Sequence, residues 1–305
     1  EGCGLPTFYE DADSWNSDIQ VLWSRGQTAR KRQFPINPTQ VPCPPGVAEL
    51  ADVYHVSHEI GRGSFGIVWS GCHKQLQSNC VVKCVRKDNV GKDYVFIHAT
   101  CDMFTRLLQI SQDTPHKNVI QYLDFLMGPS MIYVVMEELT GPELFKYMQD
   151  QAPMRLDVCQ RLMKQLMSAV AHIHSVGIIH RDVKVEALRF RDSRPDSDLV
   201  LFDFGHCCFD GDVQINIIGT ATYMAPEQFT RNYNSKVDTW ACGVILYIMI
   251  TGQLPFRCTH LSGARPASKE ELELALNNDA LKGIIPLACD LLALLLSLDS
   301  RQRST

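Results

Sequence analysis

His180-Arg181-Asp182-Val183-Lys184-Val185-Glu186-Ala187 is the stretch on which the reading of this chain turns. Val158, Leu162, Leu166, Ala169, Val170 and Ile173 lead into it at helical spacing, as one apolar face of an amphipathic helix. After it, Leu199-Val200-Leu201-Phe202 reads as a short apolar strand that delivers Asp203-Phe204-Gly205, so Asp203 stands 21 positions beyond Asp182. Two acids and a lysine are thus carried on loops between regular elements, where reactive groups commonly sit.

The rest of the chain sets bounds on that reading. With 305 residues, 45% of them hydrophobic, it can bury a large core. A net charge of −5 gives no reason to expect a nucleic-acid partner. Trp240–Ile250 is the longest apolar run and is too short to cross a bilayer. The start, Glu1-Gly2-Cys3-Gly4, is neither a signal peptide nor an initiator Met, so the sequence reads as a fragment. None of the 12 cysteines forms a Cys-x-x-Cys pair, which suits reduced thiols in an intracellular, cytoplasmic protein. Cys207 and Cys208, next to the Asp-Phe-Gly, are the candidates for redox sensitivity.

Residues 1–50 carry Pro6, Pro35, Pro38, Pro42, Pro44 and Pro45 without apolar periodicity, and read as a loosely ordered extension. From Tyr54 the pattern becomes strand-like. Gly61-Arg62-Gly63-Ser64-Phe65-Gly66-Ile67-Val68 spaces its glycines as G-x-G-x-x-G-x-V. Dinucleotide-binding folds use similar glycines where a strand turns into a helix. Here Ile67–Gly71 reads as a second strand and Cys80–Val85 as a third, which excludes that alternative. Period-two geometry puts Val81, Lys83 and Val85 on one face of the third strand. Asp93–Ile110 reads as a helix, Ser111–Pro115 as loop, and Met131–Glu137 as a buried strand ahead of Glu138-Leu139-Thr140-Gly141. Trp240–Ile250 and Leu291–Leu298 read as buried helices, with Asp238 placed to accept backbone N–H bonds.

Taken in order, the glycine loop, Lys83, His180-Arg181-Asp182, Asp203-Phe204-Gly205 and Ala225-Pro226-Glu227 resemble the eukaryotic protein kinases, over about Tyr54–Thr305. Lys184 after Asp182, with Gly219–Glu227, resembles the Ser/Thr type. Asn234–Trp240 and Gly252–Phe256 resemble the calcium/calmodulin-dependent and calcium-dependent groups, although no EF-hand loop is present. The resemblance implies an α+β, bilobal fold: an extension over 1–50, a small antiparallel β lobe over 51–139 and a mostly helical lobe over 140–305. It implies ATP and Mg2+ as cofactors and a protein Ser/Thr hydroxyl as substrate. ATP would lie against Ile60, Gly61, Gly63, Gly66, Val68, Val81 and Lys83, with Met136 beside the adenine and backbone groups of Glu137 and Leu139 on its edge. Asp182 would accept or orient the hydroxyl, Lys184 would neutralise the moving phosphoryl group, Thr220 would bridge Asp182 and Lys184, and Asp203 would hold the metal.

Other positions follow from the same likeness. Glu143 and Glu186 would receive an Arg upstream of the target hydroxyl, Asp210 or Asp212 would meet Arg181, and Arg303 would pair with Glu227. A regulatory region or partner is implied beyond the C-terminus. Three departures cluster at the nucleotide. Ala187 replaces a metal-binding Asn, and a methyl group has no lone pair for a cation. The helix that should offer a Glu to Lys83 has only Asp102 near the right place. Arg189 stands where the family puts an aliphatic floor, so it either obstructs the base or swings out. Two functions remain open on this sequence: a Ser/Thr kinase of reduced activity, or a pseudokinase that binds nucleotide or partners.

Overall fold

The computed structural model describes residues 48–62, 66–87, 94–128, 130–151, 153–212, 217–256, 265–282 and 284–303. Gly63, the proline-rich residues 1–47 and Asp93 lie outside that set. The fold is α+β and bilobal. A five-stranded antiparallel sheet runs in the order β1-β2-β3-β5-β4, from β1 (Tyr54–Arg62), β2 (Gly66–His73), β3 (Asn79–Arg86), β4 (Tyr122–Met127) and β5 (Met131–Glu137). The chain before β1 forms a short helix, α1 (Ala48–Val53), which straddles the boundary expected at residue 50. Its Leu50 is buried with Tyr54, Trp69, Cys80, Val82, Cys84, Tyr133 and Val135 on one side of the sheet. The other side of β3 presents Val81, Lys83 and Val85, because successive side chains alternate. Gly66 lets β2 lie close to β3, since a Cβ there would sit 2.1 Å from the Cys84 carbonyl oxygen.

Between β3 and β4 runs α2 (Tyr94–Asp113), which continues through Ser111–Asp113, residues expected to be loop. The extra turn persists because its end is satisfied: Thr114 N–H donates to Ile110 O, and Ser111 Oγ accepts the Tyr122 N–H. In α2, Cys101, Met103, Phe104, Leu107 and Ile110 are buried. At 100° per residue these define one arc, and Asp102 falls opposite it, exposed. Thr100, half-buried, lies near the middle of the arc.

The helical part packs α4 (Leu156–Ser175) against α5 (Lys236–Thr251), after the short α3 (Leu144–Gln151). Cys159, Leu162, Met163, Leu166, Ala169, Val170 and Ile173 are the buried stripe of α4; Val158, expected there, is only half-buried. α5 is buried on every side from Val237 to Thr251, as its unbroken apolar sequence requires. After α6 (Lys269–Leu276), α7 (Pro286–Leu295) lies on α5, where Gly243 allows close contact with Leu295 and Leu296. The leucine run was expected to be buried throughout. Instead Leu292, Leu295 and Leu296 are buried, while Leu291, Leu294 and Leu298 remain 37–40% exposed, because the helix meets α5 along one side only.

Two imidazoles join the end of α2 to α4. His116 and His172 stack with centroids 4.9 Å apart at 16°. His116 Nδ1 accepts the Asn118 N–H at 3.2 Å, which leaves Nε2 to carry the hydrogen towards Ser168 Oγ at 3.0 Å. His172 Nε2 is buried without a hydrogen-bond partner. Burial holds both rings below the ordinary 6.5, and for His116 the neighbouring His172 adds to the effect, with Lys117 lowering it further and Asp198 opposing. The unfolded chain therefore takes up protons that the folded chain refuses. Their contribution is whole above pH 6.5 and is lost as pH falls through that value into the depressed range. We expect the thermal midpoint to fall between about pH 7.5 and about pH 6, and to fall less in His116→Asn/His172→Asn. An equal fall in that variant would assign the acid sensitivity elsewhere.

Candidate functional site

The site is built from two loops and one strand. α4 ends in a turn and the short strand β6 (Ile178–Ile179), which pairs with β9 (Cys208–Phe209). β7 (Leu188–Phe190) pairs with β8 (Leu199–Leu201), so the loop carrying Asp182 and the turn carrying Asp203 leave neighbouring strands. The Phe202 N–H donates to Ala187 O at 3.0 Å and holds the two segments together.

Arg181 and Asp203 have φ of 67° and 61°, in the left-handed region that side chains disfavour. For Arg181 the cause is visible. Asp238, buried at the start of α5, accepts the His180 N–H on Oδ2 and the Arg181 N–H on Oδ1, each at 2.8 Å. Its Oδ2 also accepts from His174 Nε2 at 2.8 Å. Burial pushes this carboxyl up, but His174 and His180 outweigh it and its pKa is lowered. Asp238 was expected to accept backbone N–H bonds at its helix start; it accepts them from the loop carrying Asp182. The Arg181 side chain donates to the carbonyls of His206 and Cys207. Asp210 and Asp212, expected opposite Arg181, lie exposed, and Asp212 Oδ2 accepts the Phe209 N–H at 3.0 Å.

Asp182 is 4% exposed and both its oxygens are engaged. Oδ1 accepts from the Thr220 N–H and from Thr220 Oγ1, each at 2.7 Å, and Oδ2 accepts from Lys184 Nζ at 2.6 Å. Lys184 Nζ also reaches Thr220 Oγ1 at 3.0 Å, which closes a ring of three side chains. Burial pulls the Lys184 ammonium down, but Asp182 more than offsets this and the pKa is raised. Across the cleft, Lys83 Nζ lies 2.9 Å from Asp203 Oδ1. Burial pushes Asp203 up, yet Lys83 and then Lys184 prevail and hold it at about 2, ionised at neutral pH. The acid of α2 nearest the expected place, Asp102, faces away from this pair, for the reason its helical arc gives.

The remaining expected positions, Gly63 apart, lie on or just after the strands that carry Lys83 and its neighbours, on or just before β7, or at its bridge partner. Val68 is the β2 neighbour of Lys83, and Val81 faces Met136 across β3 and β5. Gly61 pairs with Val68, and Ile60 beside it is 47% exposed. The Glu137 N–H donates to Gln121 O, and its carboxylate is paired with Arg191 and accepts the Gln121 N–H. The Leu139 backbone makes no hydrogen bond among the described residues. Arg189 is turned aside: Nε donates to Gly141 O at 2.8 Å. Ala187 is 1% exposed and offers only a methyl group. Among the described residues Glu186 Oε2 is buried without a well-formed hydrogen bond, with Tyr223 and Lys184 close to the carboxylate, while Glu143 is exposed. Burial pushes the Cys207 thiol far up, which disfavours its thiolate although the residue is only half-buried, and Cys80, Cys159 and Cys84 are raised to about 11, 11 and 12 by the same cause. Sequence reasoning missed Asp238's hold on the loop carrying Asp182 and Thr100's place on the buried arc. The second was recoverable from the helical period of residues 100–110.

Comparison with known proteins agrees with this geometry. The protein kinase domain family matches residues 54–305. Myosin light chain kinase A of Dictyostelium discoideum is 32% identical over 69% of this chain and 70% of its own length. Calcium/calmodulin-dependent protein kinase type I of Schizosaccharomyces pombe is 32% identical over 74% and 65%, and CDPK-related kinase 1 of Arabidopsis thaliana is 32% identical over 84% and 45%. The chain thus spans between 45% and 70% of the length of these three relatives. It belongs to the protein kinase domain family, and within it resembles the Ser/Thr kinases of the calcium/calmodulin-dependent and calcium-dependent groups.

Proposed function

We propose that the chain transfers the γ-phosphate of ATP to a Ser/Thr hydroxyl of a protein, at a reduced rate. The observation that carries this reading is the ring of Asp182, Lys184 and Thr220 facing an ionised Asp203. Asp182 is aimed by its neighbours at a hydroxyl entering the cleft and takes or orients its proton. Lys184 neutralises charge that develops on the transferred group. Lys83 holds the nucleotide's phosphates from the sheet side, while Val68, Val81 and Met136 flank its base and Leu139 offers an unengaged backbone edge. Asp203 fits a single Mg2+, since it is ionised and exchanges Lys83 for a cation at little electrostatic cost. Magnesium, when bound, neutralises the phosphates and orients the leaving oxygen. A second metal does not fit, because Ala187 has no ligand atom.

That misfit, together with Asp102 facing solvent, favours one other reading: a pseudokinase that binds nucleotide or partners without transfer. The proposal extends to a basic peptide recognised through Glu143 and Glu186, to an intracellular, cytoplasmic setting, and to a regulatory segment or partner outside residues 54–305. A radiolabelled assay on serine peptides tests it. Asp182→Asn should lower transfer by about a hundredfold to ten-thousandfold. Transfer that is undiminished in that variant, or undetectable in the parent despite a thermal shift with ATP, defeats the enzyme reading.

A further inference from the structure

Arg189 and Glu143 are bridge partners in a short antiparallel ladder that edges the cleft. The Phe190 N–H donates to Pro142 O at 2.9 Å, and the Thr140 N–H to Arg191 O at 3.0 Å. Both bonds lie on the Pro142 side of the Glu143–Arg189 pair, whose two residues stand directly opposite each other as bridge partners. Directly opposite residues share one face, with Cβ atoms about 4.5–5.5 Å apart. The alternation of β7 buries Leu188 and Phe190 and turns Arg189 outward. An exposed acid and a half-buried cation therefore share the rim of the cleft, beside the loop that holds Asp182.

Only one nitrogen of that cation is committed. Nε donates to Gly141 O, and the two terminal nitrogens make no hydrogen bond to the described residues. The guanidinium is thereby anchored through Nε, with its terminal donors left to engage other groups. Glu143 forms no ion pair within the described residues. The second carboxylate near Asp182, Glu186, has the opposite character, with one oxygen buried and without a well-formed hydrogen bond among the described residues.

We propose that Arg189 is a specificity-determining residue: a resident cation for Glu143 that weakens the docking of a substrate arginine on that carboxylate and leaves recognition of basic peptides to Glu186. This rests on the reading of the chain as a kinase-like domain whose two carboxylates face the peptide. A resident guanidinium competes well because it is already anchored, whereas a peptide arginine must surrender its freedom on binding. Both groups are accessible to water, so the effect is modest and salt-sensitive.

Binding of peptides to the full chain, without nucleotide, tests this apart from turnover. The peptides place one arginine at successive positions before a serine, each matched with an alanine version. Fluorescence anisotropy reads wild type, Arg189→Leu, Arg189→Lys, Glu143→Gln and the Arg189→Leu/Glu143→Gln double variant, at low and high salt. Arg189→Leu should tighten the best arginine peptide about two- to fivefold over its alanine partner. The gain should vanish in the Glu143→Gln background and at high salt, and Arg189→Lys should behave as wild type. An equal gain for both peptides, an unchanged preference, a gain that survives Glu143→Gln, or no binding by any variant overturns the proposal. Phosphate transfer is scored separately: a chain that shows the coupling without transfer keeps this inference and loses the enzyme reading, and transfer without coupling does the reverse.

Discussion

Ala187→Asn should raise turnover by about a hundredfold to a thousandfold, the scale of restoring one preorganised electrostatic partner. The position is already next to the turn carrying Asp203, because its carbonyl accepts the Phe202 N–H at 3.0 Å. An amide there offers an oxygen where the methyl offers none. Nearby, Asp182 is oriented by three hydrogen bonds, and Asp203 is ionised. Position 187 is 1% exposed, so the larger side chain must displace packing, and a small loss of stability should accompany the gain. Adding Arg189→Leu should contribute little to nucleotide affinity, since the guanidinium is drawn aside to Gly141 and its methylene stem already supplies an apolar surface. Steady-state kinetics on a serine peptide decide the matter. If Ala187→Asn keeps the circular dichroism of the parent and transfers no phosphate, the pseudokinase reading stands.

Arg303→Met should destabilise the fold by about 3–5 kcal/mol, as expected when one member of a buried ion pair is removed. The Arg303 side chain is fully buried. It donates to both oxygens of Glu227, with Nη2 to Oε2 at 3.0 Å, and through Nε to Ser297 O at 2.7 Å. Its guanidinium also lies 4.9 Å from the centre of the Trp240 ring. Methionine replaces the stem but leaves the Glu227 carboxylate without its partner. That carboxylate is 16% exposed, which places the expected loss near the lower end of the range. Equilibrium urea unfolding measures it, and a loss under about 1 kcal/mol would show that water replaces the arginine.

Much of this arrangement was legible in the sequence, for reasons that are local. Lys83 sits on the cleft face because a strand alternates, and Val81 and Val85 flank it at the same period. The acids arrive on loops because the helix before Asp182 and the strand before Asp203 are each apolar in the right rhythm. What failed depended on partners distant in sequence. Asp102 looked like a partner for Lys83 until the arc of buried residues in α2 turned it to solvent. Ser111–Asp113 looked like loop, but Ser111 gains the Tyr122 N–H by remaining helical. Asp238 could be recognised as an acceptor of backbone N–H bonds, yet not as the acceptor for His180 and Arg181, 58 and 57 residues away. Cys207 looked open to oxidants by its position after Asp-Phe-Gly; it is half-buried, and the packing around it disfavours the thiolate.

The bonds beside the cleft also set its mechanics. Glu137 is fixed to Gln121 on the sheet side, and Thr140 to Arg191 on the helical side. Pro142 and Gly141 are tied to Phe190 and Arg189. Only Glu138 and Leu139 lie between these anchorages, so any turning of one half on the other would run on an axle two residues long. Rotation about so short an axle would swing the far ends of β1 and β2 widely for a small change in backbone torsion. The Arg191 side chain spans the axle as a check-strap, gripping Glu137 with one nitrogen and the Lys117 carbonyl with another. Any molecule that grips the Leu139 backbone therefore seizes the axle itself.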